Sequence, residues 1–253
     1  NHCSLINLNA RIGLPFVSDF WGLLSSLALC VALLFSVAGG FSGRAHFQCF
    51  TFAPLWGKLP SNFSTGERLH LLVQECMQTA GLDFSDIQGV CVGKGPGSYT
   101  GLRIGVSAAK GICYAAKLPL YSLPTLGCFD MSYVQGDDVM AVIDARRDEV
   151  YAQHWVRKEG VFHPASAVEA VVVTENSWEH LANQQIHVIG DAAEKVSHLH
   201  GNSNWIYAEN AYPSAKDMAN LLDTPAMVKE DLAYFEPYYL KDFVALKSTK
   251  KLL

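Results

Sequence analysis

The sequence predicts an α/β protein built as two lobes. From residue 63 onwards, short apolar runs typical of buried strands alternate with segments of helical periodicity. A polar turn at residues 135–138 separates a first set of these elements from a second. The chain of 253 residues is long enough to bury a core in each set. We therefore expect a first lobe over residues 63–134 and a second over residues 135–253.

The composition narrows the class of protein. The formal net charge of −5 argues against a protein that coats nucleic acid by bulk charge. The seven cysteines are widely spaced and include no C-x-x-C pair. They predict reduced thiols in a cytoplasmic protein rather than a disulfide framework or a zinc site.

Residues 1–62 differ in character from the rest of the chain. The stretch 20–42 carries no charged residue over 23 positions, a length that could span a bilayer or form the apolar part of a signal sequence. Arg11 is the only basic residue before it, so the flank does not suit a signal peptide. Two interpretations of this atypical apolar segment stay open, a sequence artefact and a membrane segment. We disfavour the membrane segment and do not expect the protein to associate with a membrane.

The first predicted helix runs over residues 67–80. Ser64 to Glu67 has the form of a capping box, and Gly81 suits the end of the helix. Apolar residues recur with the i, i+3, i+4 spacing of one helical face, namely Leu69, Leu72, Val73, Cys76 and Met77. Leu71 is apolar but lies off this stripe, which indicates a second buried face.

A glycine-rich loop follows the predicted strand at residues 87–94. Its glycines permit positive φ and close backbone approach, and their amides beside a helix start could bind an anion. The spacing fits neither G-x-x-x-x-G-K-[ST] nor G-x-G-x-x-G. A phosphate loop and a structural strand–turn–helix junction therefore both stay open. The residues concerned are Gly95, Gly97, Ser98, Thr100 and Gly101.

The second predicted helix, residues 103–116, carries a stripe of mostly small residues that would let another helix approach closely. The stripe consists of Gly105, Ala108, Ala109, Ile112, Cys113 and Ala116. The stripes of the two helices are either internal core or an interface with a partner. If they are core, the interface lies on the opposite face around Arg103, Ser107 and Tyr114.

The rest of the chain continues the alternation of strands and helices. The predicted elements are a strand at 118–125, a short helical piece ending near 133, a hairpin at 139–156, a helix at 175–184, a strand at 186–191 and a helix at 214–223.

Few of the side chains suggest catalysis. Ser98, Ser107 and Cys113 have no nearby histidine, so no nucleophile–base pair is predicted. His198 and His200 are expected at the surface. The acidic residues of the predicted hairpin turn are expected to be solvated, and they are Asp144, Asp148 and Glu149.

Four segments of the sequence resemble segments of a known protein family. They are GERLHLLVQE, GKGPGSYTGLRIGVSAAKGICYAAKLPLYSLPTL, AVIDARRDEVYAQHW and PYYLKDF. In this order they resemble the bacterial TsaB family, also called YeaZ, over residues 64–253. The resemblance implies the actin-like, Hsp70-like, sugar-kinase-like (ASKHA) fold of two α/β lobes. The N-terminal hairpin with which members of that family begin is not recognisable in residues 1–62.

The resemblance also implies a function. The family is a subunit of the machinery that forms N6-threonylcarbamoyladenosine at position 37 of tRNAs reading ANN codons. Its members look like inactive relatives of the catalytic subunit TsaD, so a non-catalytic scaffold is expected here, with no cofactor. The implied partners are TsaD and the ATPase TsaE. Contact with tRNA is expected to be only indirect. A homodimer that forms through the same helices is the alternative. The other function considered is an ATP-binding phosphotransferase or ATPase of the same fold.

Two site predictions follow from the resemblance. The catalytic relative holds a metal through H-x-x-x-H, whereas the matching residues here run from Thr125 to Phe129 without histidine, so no metal is expected. In the family, two first-lobe helices pack against the same helices of TsaD. The implied partner-interface residues are Leu69, Leu72, Val73, Cys76, Met77, Gly105, Ala108, Ala109, Ile112, Cys113 and Ala116.

Overall fold

A computed structural model of the chain describes residues 31–36, 47–50, 65–208, 211–222 and 224–241. Two mixed β-sheets, each covered by helices, form the described part of the chain. The strands are β1 (Val31–Ser36), β2 (Phe47–Phe50), β3 (Ile87–Gly93), β4 (Leu120–Leu123), β5 (Asp138–Asp144), β6 (Glu149–Lys158), β7 (Val161–Pro164), β8 (Glu169–Val172), β9 (His187–Ile189), β10 (Ile206–Tyr207) and β11 (Val228–Glu230). The α-helices are α1 (Thr65–Ala80), α2 (Tyr99–Ala116), α3 (Ala193–His200) and α4 (Ala215–Met218).

The first sheet has the strand order β11-β4-β3-β1-β2. Strand β3 is parallel to β4, and every other neighbouring pair in this sheet is antiparallel. Side chains of β3 alternate between the two faces, as strand geometry requires. Val90 and Val92 face the core under α1 and α2, whereas Cys91 faces a second core with Leu123 and Met218. Both faces of this sheet are therefore covered.

The N-terminal strands correct the interpretation of the apolar segment. Strand β1 lies within the uncharged stretch 20–42 and pairs with β2 on one side and with β3 on the other. It is an interior strand of the sheet, and interior strands are often apolar throughout, as a membrane helix also is. The hairpin missed in the sequence is thus present. Among the described helices, none combines the length and apolar character needed to cross a membrane.

The second sheet has the order β10-β9-β5-β6-β7, with β8 also paired to β6. The predicted hairpin at residues 139–156 is confirmed as β5 and β6. One face carries Met140 and Val142 against α3, and the other carries Val139 and Ala141. This second face packs on Leu126, Phe129, Met131 and Val134, which follow the first sheet. The segment after β4 therefore joins the two lobes through an apolar core.

The chain returns to the first lobe near its C-terminus, which corrects the predicted range of 135–253 for the second lobe. Strand β11 pairs with β4, and Phe235 lies in the core under α1 and α2. Lys110 of α2 donates to the carbonyl oxygens of Ala233 at 3.1 Å and Phe235 at 3.0 Å. The polar turn in the sequence predicted the start of the second lobe, but no local sequence pattern predicted that the C-terminal segment packs on the first lobe.

Element boundaries agree best where the sequence periodicity is long. Helix α1, strand β3 and strand β9 match their predictions closely, and Gly81 ends α1 with a φ of 66°. The proposed cap at Ser64 lies outside the described residues. The predicted helix at 175–184 is wrong, because only a short 3-10 turn, Glu179–Leu181, forms there.

Gly190 is the backbone position at which we expect a side chain to be least tolerated. Its φ is 131°, and a Cβ there would lie 1.8 Å from the carbonyl oxygen of Val142. Gly190→Ala should lower the free energy of unfolding by about 3 kcal/mol or more, because the strand backbone cannot move aside. Urea titration followed by circular dichroism measures this loss.

Gly160→Ala is the matched control for that variant. Gly160 also has a positive φ, of 81°, but nothing lies within 4 Å of a Cβ at this position. We expect a loss of only about 1 kcal/mol, from backbone strain alone. Equal losses in the two variants would show that the close approach at Gly190 is not the cause.

Candidate partner-binding face and glycine loop

The predicted stripes of the two helices are the internal core of the first lobe. They pack against the first sheet, and Leu72, Ala109 and Cys113 are fully buried. This corrects the interface assignment for the fully buried members of the stripes, because their side chains are already in contact with the core and present no surface to a partner. The buried members are Leu69, Leu72, Val73, Cys76, Met77, Gly105, Ala108, Ala109 and Cys113, and the partly exposed members are Ile112 and Ala116.

A shallow apolar groove lies beside these helices, and its lining includes three members of the α2 stripe, Ala108, Ile112 and Ala116. Its floor comes from small residues of α2, and its walls include His70 of α1 and Phe84, which is 43% exposed. We name this surface the helix groove, and the residues that line it are His70, Phe84, Ile104, Ser107, Ala108, Gly111, Ile112, Ala115 and Ala116. Of the three residues in the alternative interface expected from the sequence, Ser107 lines the groove, whereas Arg103 and Tyr114 do not.

Two further apolar side chains on the same helices are exposed, although neither lines the groove. Leu71 of α1 is 38% exposed, so the sequence located it correctly off the core stripe but not in a second core. Tyr114 of α2 is 81% exposed. Exposed apolar residues scattered singly are ordinary, but residues beside an apolar groove enlarge a candidate binding surface.

The backbone of the glycine loop is held by other parts of the chain. Gly95 N–H donates to the hydroxyl of Thr125 at 2.9 Å, and Thr125 N–H donates back to the Gly95 carbonyl at 3.1 Å. Lys94 N–H donates to the Leu123 carbonyl at 2.8 Å, and Tyr238 N–H donates to the Lys94 carbonyl at 2.7 Å. The loop therefore joins three segments of the first lobe.

Gly95 needs to be glycine for a structural reason. Its φ is 114°, and a Cβ there would lie 2.6 Å from the carbonyl oxygen of Tyr238. The sequence suggested that a phosphate could approach the backbone here. In the structure, the C-terminal segment of the chain lies close to Gly95 instead. This observation favours the structural junction over the phosphate loop.

The end of the loop starts helix α2. Ser98 is the N-cap, and its hydroxyl accepts from the N–H of Gly101 at 3.4 Å. The helix begins at Tyr99, four residues before the predicted start at 103, because the capping serine lies inside the glycine-rich stretch. Thr100 lies in the first turn and is exposed, and Gly97 has open space around it.

The residues at the positions of the relative's metal motif are buried, and their side chains already form hydrogen bonds or close contacts within the chain. Thr125 is fully buried and bonded to the loop, and the Cys128 thiol donates to the Pro124 carbonyl at 3.3 Å. A Cβ on Gly127 would lie 2.9 Å from the ring of Trp155. Within the described residues no group of three or more His, Cys, Asp or Glu side chains could hold a metal ion.

Cys113 does not have the properties of a nucleophile. It is fully buried, and burial raises the pKa of its thiol to about 11. The thiol donates to the Pro119 carbonyl at 3.5 Å. A thiol with this pKa is protonated at neutral pH, and only the thiolate is reactive.

Two acidic side chains of the hairpin turn form ion pairs with lysines rather than being only solvated. Lys195 of α3 pairs with Asp144, and Lys241 pairs with Glu149. Asp191 accepts from the backbone N–H of Asp144 at 2.9 Å, and burial raises the pKa of its carboxyl to about 6. Sequence reasoning missed both lysines, because they come from distant segments and carry no local signal.

His200 is buried, which corrects its assignment to the surface. Only 8% of it is exposed, and its ring lies 4.4 Å from that of Trp205 between ring centroids. Burial lowers the pKa of this histidine below its ordinary value. The other histidine of the pair, His198, is exposed at the surface, as expected. The two residues lie on α3, where a spacing of two turns them to different sides.

The comparisons with known proteins agree with this geometry. A family model described as "TsaD: tRNA N6-adenosine threonylcarbamoyltransferase" matches residues 64–245. The "tRNA threonylcarbamoyladenosine biosynthesis protein TsaB" of Escherichia coli (strain K12) is 31% identical over 196 residues, 72% of this chain and 82% of that protein. The protein of the same name from Haemophilus influenzae is 28% identical over 195 residues, 72% of this chain and 81% of that protein.

A solved structure shows the same fold. "YeaZ from Pseudomonas aeruginosa" matches with a TM-score of 0.61 at 22% identity, over 85% of this chain and 96% of that one. The fold is thus that of the two-lobed α/β proteins of the actin-like (ASKHA) class. Within that class, the chain belongs to the TsaB (YeaZ) family.

The Thr125 hydroxyl is expected to stabilise the glycine loop. Thr125→Val keeps the volume but removes the acceptor of the Gly95 N–H, which is buried. We expect the free energy of unfolding to fall by about 1–3 kcal/mol, the usual cost of a buried donor without a partner. Thr125→Ser keeps the hydroxyl and should lose less. Urea titration of the three proteins tests this, and equal losses for Val and Ser would contradict the role of the bond.

Proposed function

We propose that this chain takes part in forming threonylcarbamoyladenosine in tRNA, as a non-catalytic subunit that binds the catalytic protein TsaD through the helix groove. Membership of the TsaB family supports the pathway, because its curated relatives are named as biosynthesis proteins of this nucleoside. The observation that carries the binding site is the exposed groove with a floor of small residues between the two first-lobe helices.

The helix groove suits a contact with another pair of helices. Helix backbones approach closely only where side chains are small, and Ser107, Gly111 and Ala115 follow one another at spacings of four on α2. Ile104, Ile112 and Phe84 supply apolar area around this floor. Such a surface can receive side chains of a partner helix, and the binding energy of contacts of this kind concentrates near their centre.

The state of the glycine loop supports a non-catalytic role. An ATP-using enzyme of this fold would need free backbone N–H groups where the phosphates lie. Here the N–H groups of Lys94, Gly95 and Gly101 are already bonded to Leu123, Thr125 and Ser98. The loop instead fixes the start of α2 and so the orientation of the helix groove.

Gly111 offers the sharpest test of the helix groove. Nothing lies within 4 Å of a Cβ at this position, so Gly111→Arg should fold, and helix propensity favours the change by up to about 1 kcal/mol. In the complex the arginine would be forced into the contact. Burying an unpaired charge costs several kcal/mol, so the affinity for TsaD should fall about a hundredfold. Calorimetric titration with TsaD measures it, and a thermal melt checks the fold.

Two further variants make this result decisive. His198→Arg adds the same side chain to an exposed position of α3 in the second lobe and should leave the affinity unchanged. Ala109→Arg places the charge in the core instead and should unfold the chain. If Gly111→Arg folds and still binds TsaD at full strength, the helix groove is not the interface. Size-exclusion chromatography of the free chain shows whether a second copy uses the same groove.

A further inference from the structure

An aromatic and cationic surface crosses the junction of the two lobes. It includes the first turns of α2, the C-terminal segment after β11 and the turn between β5 and β6. We name it the Tyr–Arg band, and it consists of Tyr99, Arg103, Tyr239, Lys241, Arg146 and Arg147. The band is separate from the helix groove, whose lining residues include none of these six.

The first-lobe end of the band is a pair of tyrosines in tilted ring contact, with an arginine hydrogen-bonded to one of them. The rings of Tyr99 and Tyr239 lie 5.0 Å apart between centroids with 36° between their planes. The Arg103 guanidinium carbon lies 5.3 Å from the centre of the Tyr99 ring, and its Nη1 donates to the Tyr99 hydroxyl at 2.8 Å. Tyr99 is 37% exposed and Tyr239 is 38% exposed. Aromatic surface and positive charge are thus held together.

The second-lobe end of the band is a turn that displays two arginines at a cost in backbone strain. Arg146 has a φ of 71° and Arg147 a φ of 52°, both left-handed. The Glu149 N–H donates to the Arg146 carbonyl at 3.2 Å and closes the turn, and each non-glycine residue in the left-handed region costs about 1–2 kcal/mol. The Asp144 carboxylate holds the turn by accepting from the Arg146 N–H at 2.6 Å. Both arginines are exposed, and no ion pair to either is found within the described residues.

Contacts make the two ends one continuous surface. Lys241, two residues after Tyr239, pairs with Glu149 at the end of the turn. Burial raises the pKa of the Tyr151 hydroxyl, and the charges of Lys241 and Arg146 oppose that rise, so both cations lie near the same ring. Of the acidic groups at the turn, Asp144 and Glu149 are each paired with a lysine. Asp148 is exposed and is the carboxylate that works against an anionic ligand.

We propose that the Tyr–Arg band binds unpaired nucleotides of the tRNA substrate directly. Single-stranded RNA is recognised by stacking on aromatic rings and arginine planes, with cations on its phosphates, and the band supplies both. Strained backbone conformations are concentrated at functional sites, including ligand contacts. The inference rests on the proposed role in tRNA modification, and it changes the expectation that this subunit meets tRNA only indirectly.

The first variant removes the two strained cations. Arg146→Asn combined with Arg147→Gly places at both left-handed positions a residue that tolerates this conformation, so the turn should hold at least as well as before. We expect the affinity for a fluorescein-labelled transcript of an ANN-decoding tRNA, with TsaD present, to fall about tenfold. The slope of log affinity against log salt should drop by about 1.5, because each released phosphate contact contributes ~0.7–0.9. Fluorescence anisotropy over a salt series measures both.

The second variant removes stacking and leaves the charges. Tyr239→Leu should weaken tRNA binding about fivefold, since one stacked base contributes ~1–3 kcal/mol, and it should leave the salt slope unchanged. The charge-matched control is Lys158→Gln with Lys229→Gln, two exposed lysines outside the band. Lys158 ends the ten-residue strand β6 that Glu149 begins, about 30 Å away at ~3.3 Å per residue. This control should bind tRNA as the unchanged chain does.

Each other outcome overturns the inference. Unchanged affinity and salt slope in the Asn-Gly variant, or an equal loss in the lysine control, shows that the band does not contact RNA. If the Asn-Gly variant loses TsaD in calorimetric titration, the band is a protein-binding surface. If it loses ATP but keeps tRNA, the ligand is a free nucleotide. If the unchanged chain fails to bind TsaD, the proposed function fails, and the same titrations on the chain alone still decide the RNA contact.

Discussion

The backbone junction at Lys94 and Gly95 is the constraint on which the rest of the first lobe depends. At this point the end of β3, the turn after β4 and the C-terminal segment exchange hydrogen bonds within a few ångströms. A side chain on Gly95 would collide with the Tyr238 carbonyl, so the close approach requires glycine. Because α2 starts directly beyond this junction, its position decides which face of α2 enters the core and which remains exposed. The same segment places Tyr239 against Tyr99 and Lys241 against Glu149.

Local periodicity identified most of the helices and strands that carry this arrangement. The stripes of α1 and α2 were found by spacing alone, but spacing could not say whether an apolar stripe packs on the chain's own sheet or on a partner. The fully buried Ala109 decides for the sheet, and the open space at Gly111 lies on the other side of the same helix. Small residues occur on both sides of α2, and for this reason the spacing could not separate the core side from the exposed side.

Long-range pairings account for what the sequence could not reveal. Strand β1 has the composition of a membrane segment, and only its pairing with both β2 and β3 identifies it as an interior strand of a sheet. The return of β11 to β4 joins residues more than a hundred positions apart. His200 is buried among tryptophans that come from other elements. In each case the deciding contact lies outside the window in which periodicity or spacing operates.

In the glycine loop, the chain's own C-terminal segment occupies the close approach at Gly95. The helix groove is then the surface best suited to a protein partner, and the most direct measurement is site-specific photo-crosslinking to TsaD. A benzophenone side chain at position 107, on the floor of the groove, should crosslink to TsaD. The same group at position 161, where Val161 is 54% exposed in the second lobe, should not. Crosslinking from position 161 with none from position 107 would contradict the account.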